Sequence, residues 1–192
     1  MEYDGMVYRP GASTMLRRSE GELADLIIHE LTHSTVFVKD NSELNENIAD
    51  YVGENGAKRY LASKYGDTSA VLFNYSAAIT DNEKMAMYFL RGAHKLDSLY
   101  QSADFIALPD NEKDTLKLAM IQDIINNVDT VNFVRIKPQR IKSSRLKNIN
   151  NTFFTGYMTY YNRKDSLRIE CQRDFDGDFM KHLESFKQRW GR

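Results

Sequence analysis

The chain has 192 residues, 42% of them apolar and 28% charged, a globular composition rather than that of a disordered segment. Its 26 Lys and Arg against 27 Asp and Glu leave a net charge of −1, with no global basic field of the kind nucleic-acid binders show. A single cysteine, Cys171, excludes an intrachain disulfide, and no apolar run approaches the roughly 18 residues needed to span a bilayer.

Residues 1–18 hold Gly5, Pro10 and Gly11 and are expected to form an irregular lead-in, with a short strand at Met6–Tyr8 as the alternative. No charged-then-apolar signal pattern opens the chain. Taken alone it points to the cytoplasm; a further N-terminal piece carrying a signal would make the protein exported or membrane-anchored. Residues 19–192 are read as one helical domain, long enough to bury about 70% of its unfolded surface.

Ser19-Glu20-Gly21-Glu22 has the form of a capping box, and the helix it opens is expected to run to about Phe37. Leu23, Leu26, Ile27 and Leu31 are predicted on its core side. Inside it lies His29-Glu30-Leu31-Thr32-His33. Two helical residues four apart differ by about 400° of rotation and about 6 Å of rise, so both imidazoles leave one face and can grip one Zn²⁺. Glu30 projects roughly 100° round from His29, off the ligand line but placed to hold a metal-bound water and take its proton. An amphipathic helix with two half-buried histidines and a solvated glutamate would carry the same letters, so the neighbourhood decides.

Lys39-Asp40-Asn41 reads as a turn, after which Ser42 is expected to cap a second helix carrying Asn45-Glu46-Asn47-Ile48-Ala49-Asp50. A catalytic zinc takes three protein ligands and leaves a fourth position to water, and Glu46 is the natural third ligand. Asp50, four residues on, shares its face and can accept the spare imidazole N–H of His29 or His33. A solvated acidic face is the plainer account of both. Gly53 and Gly56 mark either a close helix approach or tolerated weak points, and Gly66 ends the helix.

Ser69–Gln101 is predicted largely helical, with a kink or break at Asp81-Asn82 and a structural role for His94. A further helix starts at Ala107–Asp110 and runs to about Val131; the basic stretch Lys137–Lys147 is read as a solvated connector. A helix over Asn150–Asn162 would place Tyr157, Tyr160 and Tyr161 on overlapping faces. A tyrosine hydroxyl is a usual donor to a hydrolytic oxyanion, and the residues alone leave the choice among the three open, with core packing explaining them nearly as well. The tail, Phe175–Trp190, is an amphipathic helix with His182 expected at its surface.

His-Glu-x-x-His followed by Asn-Glu-x-x-Ala-Asp resembles the gluzincins, zinc peptidases whose third ligand is a Glu on the next helix. The segment LIIHELTHSTVFVKDNSELNENIAD, Leu26–Asp50, is more closely similar to a bacterial family of zinc aminopeptidases. Asn150-Asn151 with Thr159-Tyr160 resembles that family's C-terminal Asn-Asn…Thr-Tyr pattern at the same internal spacing, and the likeness runs from about Leu16 onward. The resemblance implies Tyr160 as the oxyanion donor and Asn150 and Asn151 as clamps on the substrate backbone. Family members commonly carry a longer N-terminal portion.

The expectation is a mainly α-helical zincin-like metallopeptidase that hydrolyses peptides with Zn²⁺ on His29, His33 and Glu46. Glu30 acts as base and later as acid, Asp50 orients a ligand histidine, and Tyr160 holds the oxyanion. Exopeptidase action rests on the resemblance, with an endopeptidase as the alternative enzyme. A shortened, catalytically silent zinc-binding module that holds a peptide or protein partner is the alternative outside catalysis. The sequence carries no signal for the oligomeric state.

Overall fold

A computed structural model of the chain describes residues 18–138, 149–160 and 164–192, without the side chains of 158–160, 164 and 165. The predicted strand at Met6–Tyr8 and nearly all of the basic connector lie outside the described residues. What is described is mainly α-helical, as expected. The helices are α1 (Glu20–Thr35), α2 (Ser42–Tyr65), α3 (Ala70–Gln101), α4 (Ala103–Ala107), α5 (Asp110–Asn126), α6 (Asn151–Tyr160), α7 (Lys164–Phe175) and α8 (Phe179–Trp190), with a 3₁₀ turn at Asn127–Thr130. The chain divides into two compact units: residues 1–75 with 166–192, and residues 76–165.

In the first unit the capping box forms as predicted: Ser19 N–H donates to Glu22 Oε2 at 2.7 Å, and Glu22 N–H donates to Ser19 Oγ at 3.4 Å. The helix stops two residues earlier than predicted, at Thr35, because Val36 turns extended and faces Gly191 in an isolated antiparallel bridge. Asn41, one residue before the predicted Ser42, caps α2 by accepting from Leu44 N–H. The two helices then run antiparallel. Glu20 at the head of α1 accepts from Lys64, Tyr60 and Tyr65 near the foot of α2, and these donors, Lys64 first, hold its carboxyl at about 2.

The predicted core face of α1 is corrected. Leu23, Ile27 and Leu31 are 36%, 51% and 59% exposed. The side turned to α2 carries Asp25, Ile28, His29 and Thr32 instead, on the opposite side of the helix cylinder. The glycines explain the fit. A Cβ on Gly53 would collide with the Asp25 carboxylate, and one on Gly56 would lie 2.9 Å from Ile28 Cδ1. They are close-approach residues, one of the two roles predicted for them.

Val36, Ile48, Tyr51, Val52, Leu167, Cys171 and Phe186 form the unit's apolar core. His182 was expected at the surface and is fully buried in this core. It stacks on Phe175 with centroids 4.8 Å apart, and its Nδ1 lies 3.2 Å from the Tyr51 hydroxyl. Burial pushes the imidazole's pKa down, against the raising effect of Glu170. An aromatic pocket accepts a neutral imidazole as it would a small ring.

In the second unit Phe89, Ala93 and Leu96 of α3 pack on Ile121, Ile124, Ile125, Val128 and Phe154. At Asp81-Asn82, where a kink or break is predicted, the helix is unbroken: α3 runs from Ala70 to Gln101. Asp81 is instead fully buried, and its carboxylate accepts the backbone N–H groups of Val134, Arg135 and Ile136 at 2.6, 2.7 and 2.9 Å. Burial alone would raise this carboxyl, but the three donors outweigh it and hold it below the usual 3.8.

Asp81→Asn turns an amide NH₂ toward one or more of these donors and is expected to cost about 2–3 kcal/mol of stability in urea unfolding. Because folding lowers the carboxyl's pKa, its contribution is complete above the unfolded value of 3.8 and fades as pH falls below it. The wild type should therefore lose its advantage over Asp81→Asn in that acid window. An advantage that grows with acidification would contradict the assignment.

Candidate metal centre

Helix α1 presents His29 and His33 one turn apart, and α2 brings Glu46 and Asp50 to meet them from the antiparallel side. Local sequence fixes this register. Asn45, which the sequence reading left without a role, accepts from Val38 N–H and donates to Val38 O, both at 2.8 Å, and donates to Asn41 O at 2.9 Å. One amide thus pins the turn between the helices, and the next residue, Glu46, lands over the histidines.

His29 Nε2 and His33 Nε2 are 3.1 Å apart. Glu46 Oε2 lies 3.5 Å from the first and Glu46 Oε1 3.5 Å from the second. These donors form a three-residue group with ligand atoms within 4.8 Å of one another. A tetrahedral ion with bonds near 2.05 Å separates its donors by about 3.3 Å, so the donor set fits a zinc-sized cation. Asp50 Oδ1 stands 3.0 Å from His29 Nδ1, which places that ring's proton on Nδ1. The Nε2 lone pair then faces the Glu46 carboxylate, an arrangement of two electron-rich atoms that a cation relieves.

The site opens into a groove of about 930 Å³ lined by Glu30, His33, Phe37, Asp40, Glu46 and Arg192 among others. Glu30 lies on the exposed side of α1, and among the described residues its carboxylate has no hydrogen-bond or ion-pair partner. It is chemically uncommitted beside the two histidines. Asp50, by contrast, is engaged.

The remaining predicted site residues lie in the second unit. Asn150 Oδ1 accepts from Thr152 N–H at 3.1 Å, and Asn151 Oδ1 accepts the Tyr100 hydroxyl at 2.7 Å. Tyr157 packs on Phe89 and Phe153, and burial pushes its phenol pKa up. Tyr160 ends α6 with its side chain outside the description, as is all of Tyr161. His94 is exposed on α3. Phe37, Asp40 and Arg192 are groove residues that sequence reasoning missed, since the fold and not any local spacing brings them together.

The seam between α1 and α2 is a point of testable tightness. Gly53→Ala is expected to lower stability by about 1–3 kcal/mol through overpacking, because the contacted carboxylate is tethered by the Tyr75 hydroxyl and the Asp25 backbone carbonyl stands close behind it. It should also widen the His29–Asp50 spacing, read as a changed ¹⁵N pattern at the His29 imidazole. An unchanged unfolding midpoint would refute the close-approach role.

Comparison with curated proteins and with solved structures gives no match. A family model described as "Putative aminopeptidase" matches residues 5–189. With that match covering nearly its whole length, the chain belongs to this aminopeptidase family.

Proposed function

We propose that the protein is a zinc-dependent aminopeptidase whose ion is held by His29, His33 and Glu46. The observation that carries this reading is the convergence of two imidazole nitrogens and one carboxylate at 3.1–3.5 Å, beside a glutamate whose carboxylate has no partner among the described residues. Family membership supports the exopeptidase form.

When bound, a zinc ion acidifies a coordinated water and polarises the scissile carbonyl. Glu30 accepts the proton of the attacking water and passes it to the leaving amine nitrogen, one carboxylate serving both transfers. Asp50 accepts the Nδ1–H of His29, keeping the ring in one tautomer and its Nε2 free to ligate. Asn45 holds the turn that keeps Glu46 in register. Tyr160 is assigned the oxyanion donor, and Asn150 and Asn151 the substrate backbone, on the family likeness of their sequence pattern.

The test begins with metal. Purified protein should hold one zinc per chain, and Glu46→Ala should lose it. Asp50→Ala should weaken zinc affinity about 10–100-fold while leaving the three ligands in place. Glu30→Gln should keep the zinc and lower kcat by about 10²–10⁴-fold on peptide substrates. Stoichiometric zinc with no hydrolysis of any peptide by the wild type would instead mean a zinc-holding peptide-binding module. Absence of zinc after incubation with the ion would sink the mechanism at its first step.

A further inference from the structure

The groove beside the histidines carries charge of both signs. Glu30, Asp40 and Glu46 supply carboxylates, and Arg192 is the one lysine or arginine among its described lining residues. Arg192 has no ion-pair partner among the described residues. Its position is set by backbone pairing. Phe37 N–H donates to Trp190 O at 2.9 Å and Arg192 N–H donates to Thr35 O at 3.0 Å, flanking the Val36–Gly191 bridge. The guanidinium then lies over the Phe37 ring, 4.3 Å from its centroid, and Phe37 is 46% exposed.

A guanidinium held over a ring face keeps N–H donors turned away from the ring, available for hydrogen bonds. A planar fork of donors with no partner among the described residues matches one ligand chemistry best, a carboxylate held by two parallel hydrogen bonds. The groove's volume lies within the range of small-ligand sites.

We infer that Arg192, held over Phe37, recognises a carboxylate of the bound peptide, so that the groove selects short peptides with a free C-terminal acid. This rests on the peptidase reading above. An aspartate or glutamate side chain of the peptide offers the same chemistry, and the test separates the two sources.

Zinc-supplemented wild-type protein would be assayed on trialanine as the free acid, on its C-terminal amide, and on the amide of Ala-Asp-Ala. The expected result is a kcat/KM roughly tenfold higher for the free acid than for the plain amide, carried by KM, the size of one charge-assisted contact at a solvent-exposed groove. In Arg192→Met, which keeps an apolar stem against Phe37, the ratio should fall to about one. A preference for the Ala-Asp-Ala amide over the free acid would overturn the C-terminal assignment. Equal rates on all three, or a preference that survives in Arg192→Met, would overturn the role of Arg192.

Binding supplies the readout that catalysis does not control. Calorimetric titration of the same three peptides into zinc-supplemented Glu30→Gln protein should show the same roughly tenfold discrimination, and lose it in the double variant with Arg192→Met. Discrimination in binding with no hydrolysis by the wild type would leave Arg192 in place and remove the peptidase reading. Hydrolysis without discrimination would do the reverse.

Discussion

The close antiparallel contact of α1 and α2 is the constraint on which the rest of the site depends. It exists because Gly53 and Gly56 have no Cβ where Asp25 and Ile28 come against them. At that spacing three acidic side chains line the seam and its continuation, and each is met by a donor. Asp25 accepts the Tyr75 hydroxyl at 2.9 Å, Asp50 faces His29 Nδ1 at 3.0 Å, and Glu54 pairs with Arg168 at 3.1 Å. A charge taken out of water costs several kcal/mol unless it is paired and hydrogen-bonded, so this polar seam is tolerable only with its partners in register. Moving α1 by a fraction of a turn would break the pairings of Asp25 and Asp50, and moving α2 those of Asp50 and Glu54.

Against that background Glu30 and Arg192 are conspicuous for what they lack. The acids of the seam are engaged in holding structure. Glu30 and Arg192 are exposed, line the groove, and have no ion-pair partner among the described residues. Evenly satisfied charges describe a scaffold, and unsatisfied ones beside a cavity describe a place where something else completes the pairing. The same contrast distinguishes Asn45, whose amide is fully used on the turn backbone.

Much of this was legible in the sequence where the signal is local. The capping box, the two histidines at helical spacing, the Glu46–Asp50 pair four residues apart and the stop at Gly66 all follow from periodicity or cap chemistry within a few residues. The failures share one cause, a tertiary partner that no window contains. Leu23, Ile27 and Leu31 have ideal spacing for a core stripe, yet the interior side of α1 is polar because α2 supplies ligating and charged neighbours there. His182 looked solvated until Tyr51, 131 residues away, closed over it together with the neighbouring Phe175 and Phe186. Asp81 looked like a helix breaker, whereas its carboxylate is committed to a loop more than fifty residues away. Arg192 joins Phe37 only through the Val36–Gly191 bridge.

That bridge also has a consequence for how the protein is made. The unit that holds the histidines is assembled from two separate stretches, residues 1–75 and 166–192, with about ninety residues between them. At synthesis rates of about 5–20 residues per second, some 5–20 seconds pass between emergence of α2 and arrival of the stretch that carries α8. Throughout that interval the nascent α1–α2 pair exposes Val36, Ile48, Tyr51 and Val52, which Leu167, Cys171 and Phe186 later cover. The loop that must close before they do so is long and its entropy cost is met only at the end. The groove wall formed by Phe37 and Arg192 thus cannot exist until the second stretch has emerged, and a ribosome-bound chain would carry the histidines before it carries the surface that frames them.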